Sequence, residues 1–402
     1  MNELHNKLLS YRVDHLFILV GGNPLPCYVA GKLLVRDKGS IYLVYSTKTK
    51  GYANSLAEVF EGCKLVPLND AERKPDKIFE CIFSHSSELT DIVGLHYTGG
   101  TKVMSVHSYR AILAAHPEAI CSYLDADRLK LCFERYGEAY GSPVKLEAAD
   151  TNAAIGLKLQ QLWHIHGKKP LREDHKEFSE RTEVLIPGMA DLLAEHISQP
   201  GWQIWIDAFK GATKLANIEA IGKLPFEDVV ALLKNWKPTI TTIGDIHKEL
   251  GGRSKNYMGE GGDWLEDLVL QKLQELKDEL SFNDVVCSAR TQKMKKPSEC
   301  EMELDVVAIR GYQLFVFSCY AGSNMDTCKA KLYEAAIRAR QLGGSEARFA
   351  LVCGHADKTK VEAQMSGTTA EQSFKVFDRY DLSSLKAKIR SWIREVDRET
   401  SQ

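Results

Sequence analysis

The chain has 402 residues, too long for one ordinary core and suited to two or three domains. With 44% hydrophobic and 26% charged residues it has a normal globular composition, able to bury a sizeable core. The formal net charge of −2 excludes a global basic field, so any contact with nucleic acid must rest on a local patch.

The opening "MNELHNKLLSYRVDH" is charged and amphipathic, unlike a signal peptide. No apolar stretch reaches the roughly 18 to 20 residues of a membrane span. The expectation is a soluble cytoplasmic protein with no membrane partner. The sequence has 10 cysteines without any Cys-x-x-Cys pair, and Cys27, Cys81, Cys121, Cys132 and Cys319 lie in apolar segments where cysteine acts as a small hydrophobe. This predicts reduced thiols and no zinc site.

From 15 to 140, short apolar runs alternate with amphipathic stretches. "HLFILVGGNP", "SIYLVYSTKTKGY", "DIVGLHYTGGTK" and "AICSYLDAD" read as strands, while "ANSLAEVFE" and "KVMSVHSYRAILAAH" carry apolar residues at helical spacing. Continuously apolar strands separated by helices predict an α/β, mainly parallel, doubly wound sheet. From 150 to 250, "AIGLKLQQLWHIHG", "EVLIPGMADLLAEHI" and "PFEDVVALLKNW" read as helices, with strand signal only near "GWQIWID", which predicts a helical or winged-helix connector. "GRSKNYMGEGGD" is a Gly-rich boundary. A long helix follows, then strands near 284–290, 302–309 and 313–319, a helix near 327–341, a strand in "ARFALVCG" and a terminal helix. The divisions fall at 1–150, 151–255 and 256–402.

In an open parallel sheet, ligands bind beyond the carboxyl ends of the strands. Three such ends carry small or polar residues: Gly21, Gly22 and Asn23; Ser46, Thr47 and Lys48; and Thr98, Gly99, Gly100, Thr101 and Lys102. The last set leads into a helix whose N–H groups, with Lys102, suit a phosphate. A plain strand-to-helix turn capped by Thr101 reads the same residues equally well. Neither a Walker loop nor a Gly-x-Gly-x-x-Gly is present.

The strand-Thr-Gly-Gly-Thr-Lys-helix element, with "LVGGNP" after the first strand, resembles the CRISPR-associated Rossmann-fold (CARF) sensors. Over residues of roughly 15 to 140 that resemblance implies binding of a cyclic oligoadenylate, cyclic tetra-adenylate or hexa-adenylate, with the tetra-adenylate ring first. It also implies a homodimer with the ring on its two-fold axis, and a downstream effector. "GGDWLEDLVLQKL", "MELDVVAIRGYQLFVFSCYAG" and "KLYEAAIRARQLGGSEARFALV", including Leu-Gly-Gly at 342–344, resemble the restriction-endonuclease-like domain of CARF-containing CRISPR ancillary nucleases.

That second resemblance implies phosphodiester hydrolysis with magnesium or manganese and a nucleic-acid substrate. Carboxylates hold such an ion, and a lysine orients the attacking water. Glu266 and Asp305 match two acidic positions of the family pattern and would be metal ligands, with the Cys319 carbonyl as a further one. The expected Glu and Lys are replaced by Ser318 and Tyr320, which supply neither anion nor cation. The tripod therefore reads as eroded and cleavage as weak or absent, and a non-catalytic nucleic-acid-binding regulator is the alternative. Glu301 or Glu303, with Lys329 or Lys331, are possible replacements. As read here they are solvated edge charges and a helix surface.

Other features have bland readings. Arg290, Lys293, Lys295 and Lys296 form a basic stretch that reads as a hairpin tip as readily as a phosphate contact. His164 and His166 lack a third metal ligand. Trp163, Trp202, Trp205 and Trp236 read as core or interface residues. His96 and His107 flank the Gly-Gly loop as packing residues, leaving no dedicated base for cleavage of the cyclic ligand by the sensor domain itself.

Overall fold

A computed structural model describes residues 3–135, 142–168, 180–210, 220–259, 261–291, 302–363, 365 and 373–400. Glu301, Lys293, Lys295 and Lys296 lie outside the described residues. Among the described residues there are two sheets.

The first sheet joins β1 (Val13–Leu19), β2 (Val35–Ser46), β3 (Lys64–Asn69), β4 (Val93–His96), β5 (Ile120–Asp125), β6 (Lys130–Arg135) and β7 (Val144–Lys145) in the order β3-β2-β1-β4-β5-β6-β7. Its first five strands are parallel, and β6 and β7 are antiparallel. Leu16, Ile18, Ile41 and Leu43 on one face share a core with helices α1 (Glu3–Leu8), α2 (Leu25–Leu34) and α3 (Lys50–Val59). Phe17, Leu19, Tyr42 and Leu95 on the other face meet α4 (Pro75–Ser86) and α5 (Lys102–Ala115). Burial on both faces explains why these strands are continuously apolar. The predicted doubly wound sheet is therefore present.

Helices α6 (Ala148–Ile155) and α7 (Leu159–Ile165), separated by left-handed Gly156, pack on α2 and α3. Then come α8 (Met189–His196), α9 (Trp202–Lys210), α10 (Glu227–Trp236), α11 (Ile243–Glu249), α12 (Ser254–Met258) and α13 (Asp263–Glu275). The strand signal at "GWQIWID" is a misreading, because that stretch is α9. Trp205, Ile206 and Phe209 fall on one helical face and are buried, with Trp202 half-buried one turn earlier. Spacings of three, four and seven outweigh the β preference of single aromatic and branched residues.

The second sheet has the order β12-β11-β10-β9-β8, from β8 (Phe282–Arg290), β9 (Glu303–Arg310), β10 (Gln313–Tyr320), β11 (Arg348–Cys353) and β12 (Phe374–Phe377). Strands β8, β9 and β10 are antiparallel, whereas β11 and β12 run parallel to β10. Helix α14 (Met325–Gly343) crosses from β10 to β11, α15 (Lys358–Glu362) precedes β12, and α16 (Leu385–Glu399) closes the chain. One face, with Phe315 and Phe317, shares its core with α8 to α13 and α16, and Trp392 of α16 meets Phe315, Phe317 and Phe377 edge-on. The other face, with Val307, Leu314 and Val316, takes α14 and joins the core of the first sheet's helices. The sensor-like and nuclease-like halves are thus not separate beads. They share a continuous apolar core.

Candidate active site and ligand-binding edge

The loops after β1 and β4 meet where the winding of the first sheet reverses, since β1 lies between β2 and β4. Their backbones press together. A Cβ added at Gly21 would lie 2.9 Å from Gly100 N, and one at Gly99 would overlap the Leu19 carbonyl oxygen. Gly100 has φ +78°, a left-handed conformation that suits glycine. Gly22 faces open space. Asn23 caps the next turn, its Oδ1 accepting from Leu25 N–H at 3.0 Å.

The Thr101 hydroxyl accepts from Met104 N–H at 3.2 Å as the N-cap of α5, and the Thr98 hydroxyl accepts from Leu124 N–H at 2.6 Å. Lys102 opens α5 and is exposed. Thr47 follows β2, the neighbouring strand, and its hydroxyl donates to Asp70 Oδ1 at 2.9 Å. The three sequence-predicted sets therefore share one sheet edge. Both threonine hydroxyls of the Thr-Gly-Gly-Thr loop accept from backbone N–H groups, of α5 and of β5, so what this loop offers an anion is backbone N–H, the two hydroxyl protons and Lys102. His96 is buried against Ser122, with its Nδ1 3.1 Å from Ser122 Oγ, and burial lowers its pKa to about 3. It is a packing residue here. His107 is half-buried on α5 beside Arg110.

The second constellation forms around Asp305. Val306 is the register partner of Phe317, so the next step along the antiparallel pair brings Asp305 opposite Ser318. Asp305 Oδ2 accepts from Ser318 Oγ at 2.9 Å and from Cys319 N–H at 2.8 Å, and lies 3.4 Å from Lys331 Nζ. Burial pulls the lysine pKa down, but Asp305, aided by Glu303, outweighs it, and the net direction is up. Lys331 is thus no plain helix surface, contrary to the sequence expectation: it sits two turns into α14, on the side that faces β9 and β10. Lys329 behaves as expected and turns to Asp326 at 3.6 Å. Glu303 pairs with Arg290 across β8 and β9 and also lines the space beside Asp305, so it is more than the expected edge charge. A cavity of about 50 Å³ lies beside Asp305, with Ser318, Lys331, Glu334 and Arg338 in its wall.

Glu266, in the first turn of α13, accepts from Ser288 Oγ at 2.6 Å. Burial, then the neighbouring Asp305 and Asp263 carboxylates, hold its pKa well above the ordinary range, against the pull of Ser288 and Arg181. Glu266 and Asp305 are therefore brought together. Sequence reasoning missed Asp263, one helical turn before Glu266, whose pKa burial also raises. It missed Arg181 too. That guanidinium reaches Asp267 Oδ1 at 2.8 Å, Ser288 Oγ at 3.4 Å and Glu266 Oε2 at 3.9 Å. The spacing of Asp263 from Glu266 was available as a signal. Arg181, more than 80 residues upstream, carried none.

Tyr320 is partly exposed and folds back toward Gly322, where an added Cβ would collide with its ring and hydroxyl. Ser318 is tied to Asp305, and the Cys319 side chain is buried. The donor set suits one divalent cation. Two carboxylates repel one another in a buried place, and none of the three donors on Asp305 engages Oδ1. Among the described residues, no three His, Cys, Asp or Glu side chains converge as a full protein cage would require. His164 and His166 are likewise separate, the first 3.2 Å from Glu58 and the second buried on the Leu162 carbonyl.

The comparisons fit this geometry. A family model described as Card1-like, endonuclease domain, matches residues 256–396. No curated protein matches the chain. Among solved structures, Can2 from Sulfobacillus thermosulfidooxidans in complex with cyclic tetra-adenylate matches with a TM-score of 0.67 at 15% identity, covering 97% of this chain and 99% of that one. Protein VC1899 from Vibrio cholerae matches with a TM-score of 0.71 at 14% identity, covering 95% and 98%. At such identities the likeness establishes a common fold along nearly the whole chain. Residues 256–396 match the Card1-like endonuclease domain, and the chain shares its fold with Can2 and VC1899 along nearly its whole length.

Proposed function

We propose that this protein is a CRISPR ancillary effector in which a cyclic oligoadenylate, cyclic tetra-adenylate first, controls a metal-dependent nuclease domain. The observation that carries the nuclease reading is Asp305, held by Ser318 and the Cys319 N–H with Lys331 3.4 Å away, and close enough to Glu266 to raise its pKa. Support for the sensor reading comes from the glycine-packed loops at the sheet edge and from the likeness to Can2, which binds cyclic tetra-adenylate.

In this reading Glu266 and Asp305 would hold magnesium or manganese, and the ion would supply Lewis acidity toward a phosphodiester. Ser318 and the Cys319 N–H fix Asp305. Lys331 provides the positive charge that Tyr320 does not, next to the phosphate whose charge grows in the transition state. Ser318 provides no third carboxylate, so an ion held here would bind weakly and turnover would be low. That same substitution is what favours the second reading, a non-catalytic regulator on a nuclease scaffold. A homodimer follows from the two-fold symmetry of the ring, which needs the same loops from two subunits. Among the described residues no helix is long and apolar enough to cross a membrane.

The test is to incubate the protein with plasmid, single-stranded DNA and RNA, in magnesium or manganese, with and without cyclic tetra-adenylate. Cutting that Asp305→Ala abolishes supports the nuclease. Nucleic-acid binding without cutting, in every ion, supports the regulator. Calorimetry with Lys102→Ala tests the sensor, which fails if no ring size binds. Light scattering tests the dimer.

A further inference from the structure

Asn23, at the end of the Gly21–Asn23 loop, reaches the nuclease domain. With its carbonyl oxygen held by Leu25 N–H, its amide nitrogen faces Gly344. A Cβ added at Gly344 would lie 2.6 Å from Asn23 Nδ2 and 2.6 Å from Glu346 Oε2, and this residue has φ +75°. One added at Gly343 would lie 2.8 Å from both Leu314 Cβ and Ala347 Cβ. The Leu-Gly-Gly stretch is therefore the C-terminus of α14 pressed between the candidate ligand loop and the start of β10.

Behind this contact lies a buried polar seam. The Glu346 carbonyl accepts from Gln313 Nε2 at 2.8 Å and Arg348 Nη1 at 2.9 Å. Yet, among the described residues, Glu346 Oε1, Arg348 Nε and the Tyr312 hydroxyl are buried without a hydrogen-bond partner. Buried groups left unmatched in one arrangement favour a second arrangement that matches them.

The same elements end at the active site. Helix α14 has neither glycine nor proline between Lys331 and Leu342, so it transmits displacement as a rod. At 1.5 Å per residue, Lys331 stands about 18 Å along it from Gly343. Strand β10 starts at Gln313 in the seam and reaches Asp305 through Ser318 and Cys319. The Lys331–Asp305 contact of 3.4 Å is at the outer limit of a hydrogen bond, so a shift of a few tenths of an ångström makes or breaks it.

We propose that Asn23, Gly344 and Glu346 are positioning residues that couple ligand occupancy at the Gly21–Asn23 loop to the distance between Lys331 and Asp305, with α14 as the connecting rod. The proposal rests on the reading of that loop as a cyclic-oligoadenylate site. Hydrogen exchange of the full-length protein with and without cyclic tetra-adenylate tests it directly. Binding is expected to change exchange over 342–348 and along α14, as well as in the loop. In cleavage assays, Glu346→Ala and Gly344→Ala are expected to bind the ring with unchanged affinity and keep ligand-free cleavage, but to lose about tenfold of its stimulation. Glu346→Gln, which keeps the shape and polar atoms, is expected to restore it. A ring that binds tightly while exchange in α14 stays unchanged would overturn the coupling and leave the sensor reading standing. A stimulation as large in Glu346→Ala as in the natural chain would do the same. Failure of any ring to bind would overturn both.

Discussion

The two candidate sites are built from opposite materials. At the sheet edge the backbone does the work: glycines let two loops touch, and the hydroxyls of Thr98 and Thr101 accept from backbone N–H groups. At Asp305 the work is done by charged side chains from a strand and two helices, crowded until Glu266 is driven far from its ordinary pKa. A backbone site tolerates exchange of most side chains but no added Cβ at its contact points. A side-chain site tolerates small backbone changes, yet depends on each charge.

The contrast can be broken in four ways. The largest effect is expected from Asp305→Ala, which removes the group that Ser318, Cys319 and Lys331 all address. Cleavage should fall at least a thousandfold, about 4 kcal/mol of barrier, with no large change in ring binding. Loss of ring binding instead would mean that the sites are not separable. Next, Gly99→Ala forces a Cβ into the Leu19 carbonyl and should destabilise the fold by about 3 kcal/mol, read as a lowered Tm, while Gly22→Ala should stay within about 0.5 kcal/mol. Equal effects would show that the loops do not pack as described.

Third, Lys331→Ala should lower cleavage roughly thirtyfold and Lys329→Ala not measurably, since only the former faces Asp305. The reverse order would move the catalytic cation. The smallest effect concerns pH. Burial, opposed by its own backbone N–H and Arg348 and reinforced by Asp127, raises the Glu346 pKa from 4.5 to about 7. Tyr312 faces it from the turn before β10, with a pKa that burial pushes up. The folded state thus holds a proton that the unfolded state has released between these values. Stability from this group is full below about 4.5 and declines as pH rises to about 7. Tm measured from pH 5 to 8 should fall more steeply for the natural chain than for Glu346→Gln. Identical slopes would remove Glu346 from the seam's titration.

How much of this was legible differs between the sites for the same reason. The glycine loops announce themselves because their requirement is local: a strand, Thr-Gly-Gly-Thr-Lys, then a helix. Glu266 and Asp305 were legible through their match to a known pattern. Lys331 was weighed and set aside, because helix periodicity tells which residues share a face but not which strand that face meets. Arg181 was invisible, since its partners Asp267, Ser288 and Glu266 lie far along the chain. The misreading of α9 has the converse cause: a rich aromatic run was scored by residue preference, when its spacing of three and four already specified a helix.

The sequence by itself determined the alternation of buried strands and helices and the close-packed glycines Gly21, Gly99 and Gly100, because each depends on local conformation and periodicity. Tertiary structure alone decided that Lys331 meets Asp305, that Arg181 stands behind Glu266 and that Asn23 rests on Gly344. Those pairings are set by how elements distant in the chain cross and bury one another, and the energies that fix them, desolvation and charge, exist only once the core has closed.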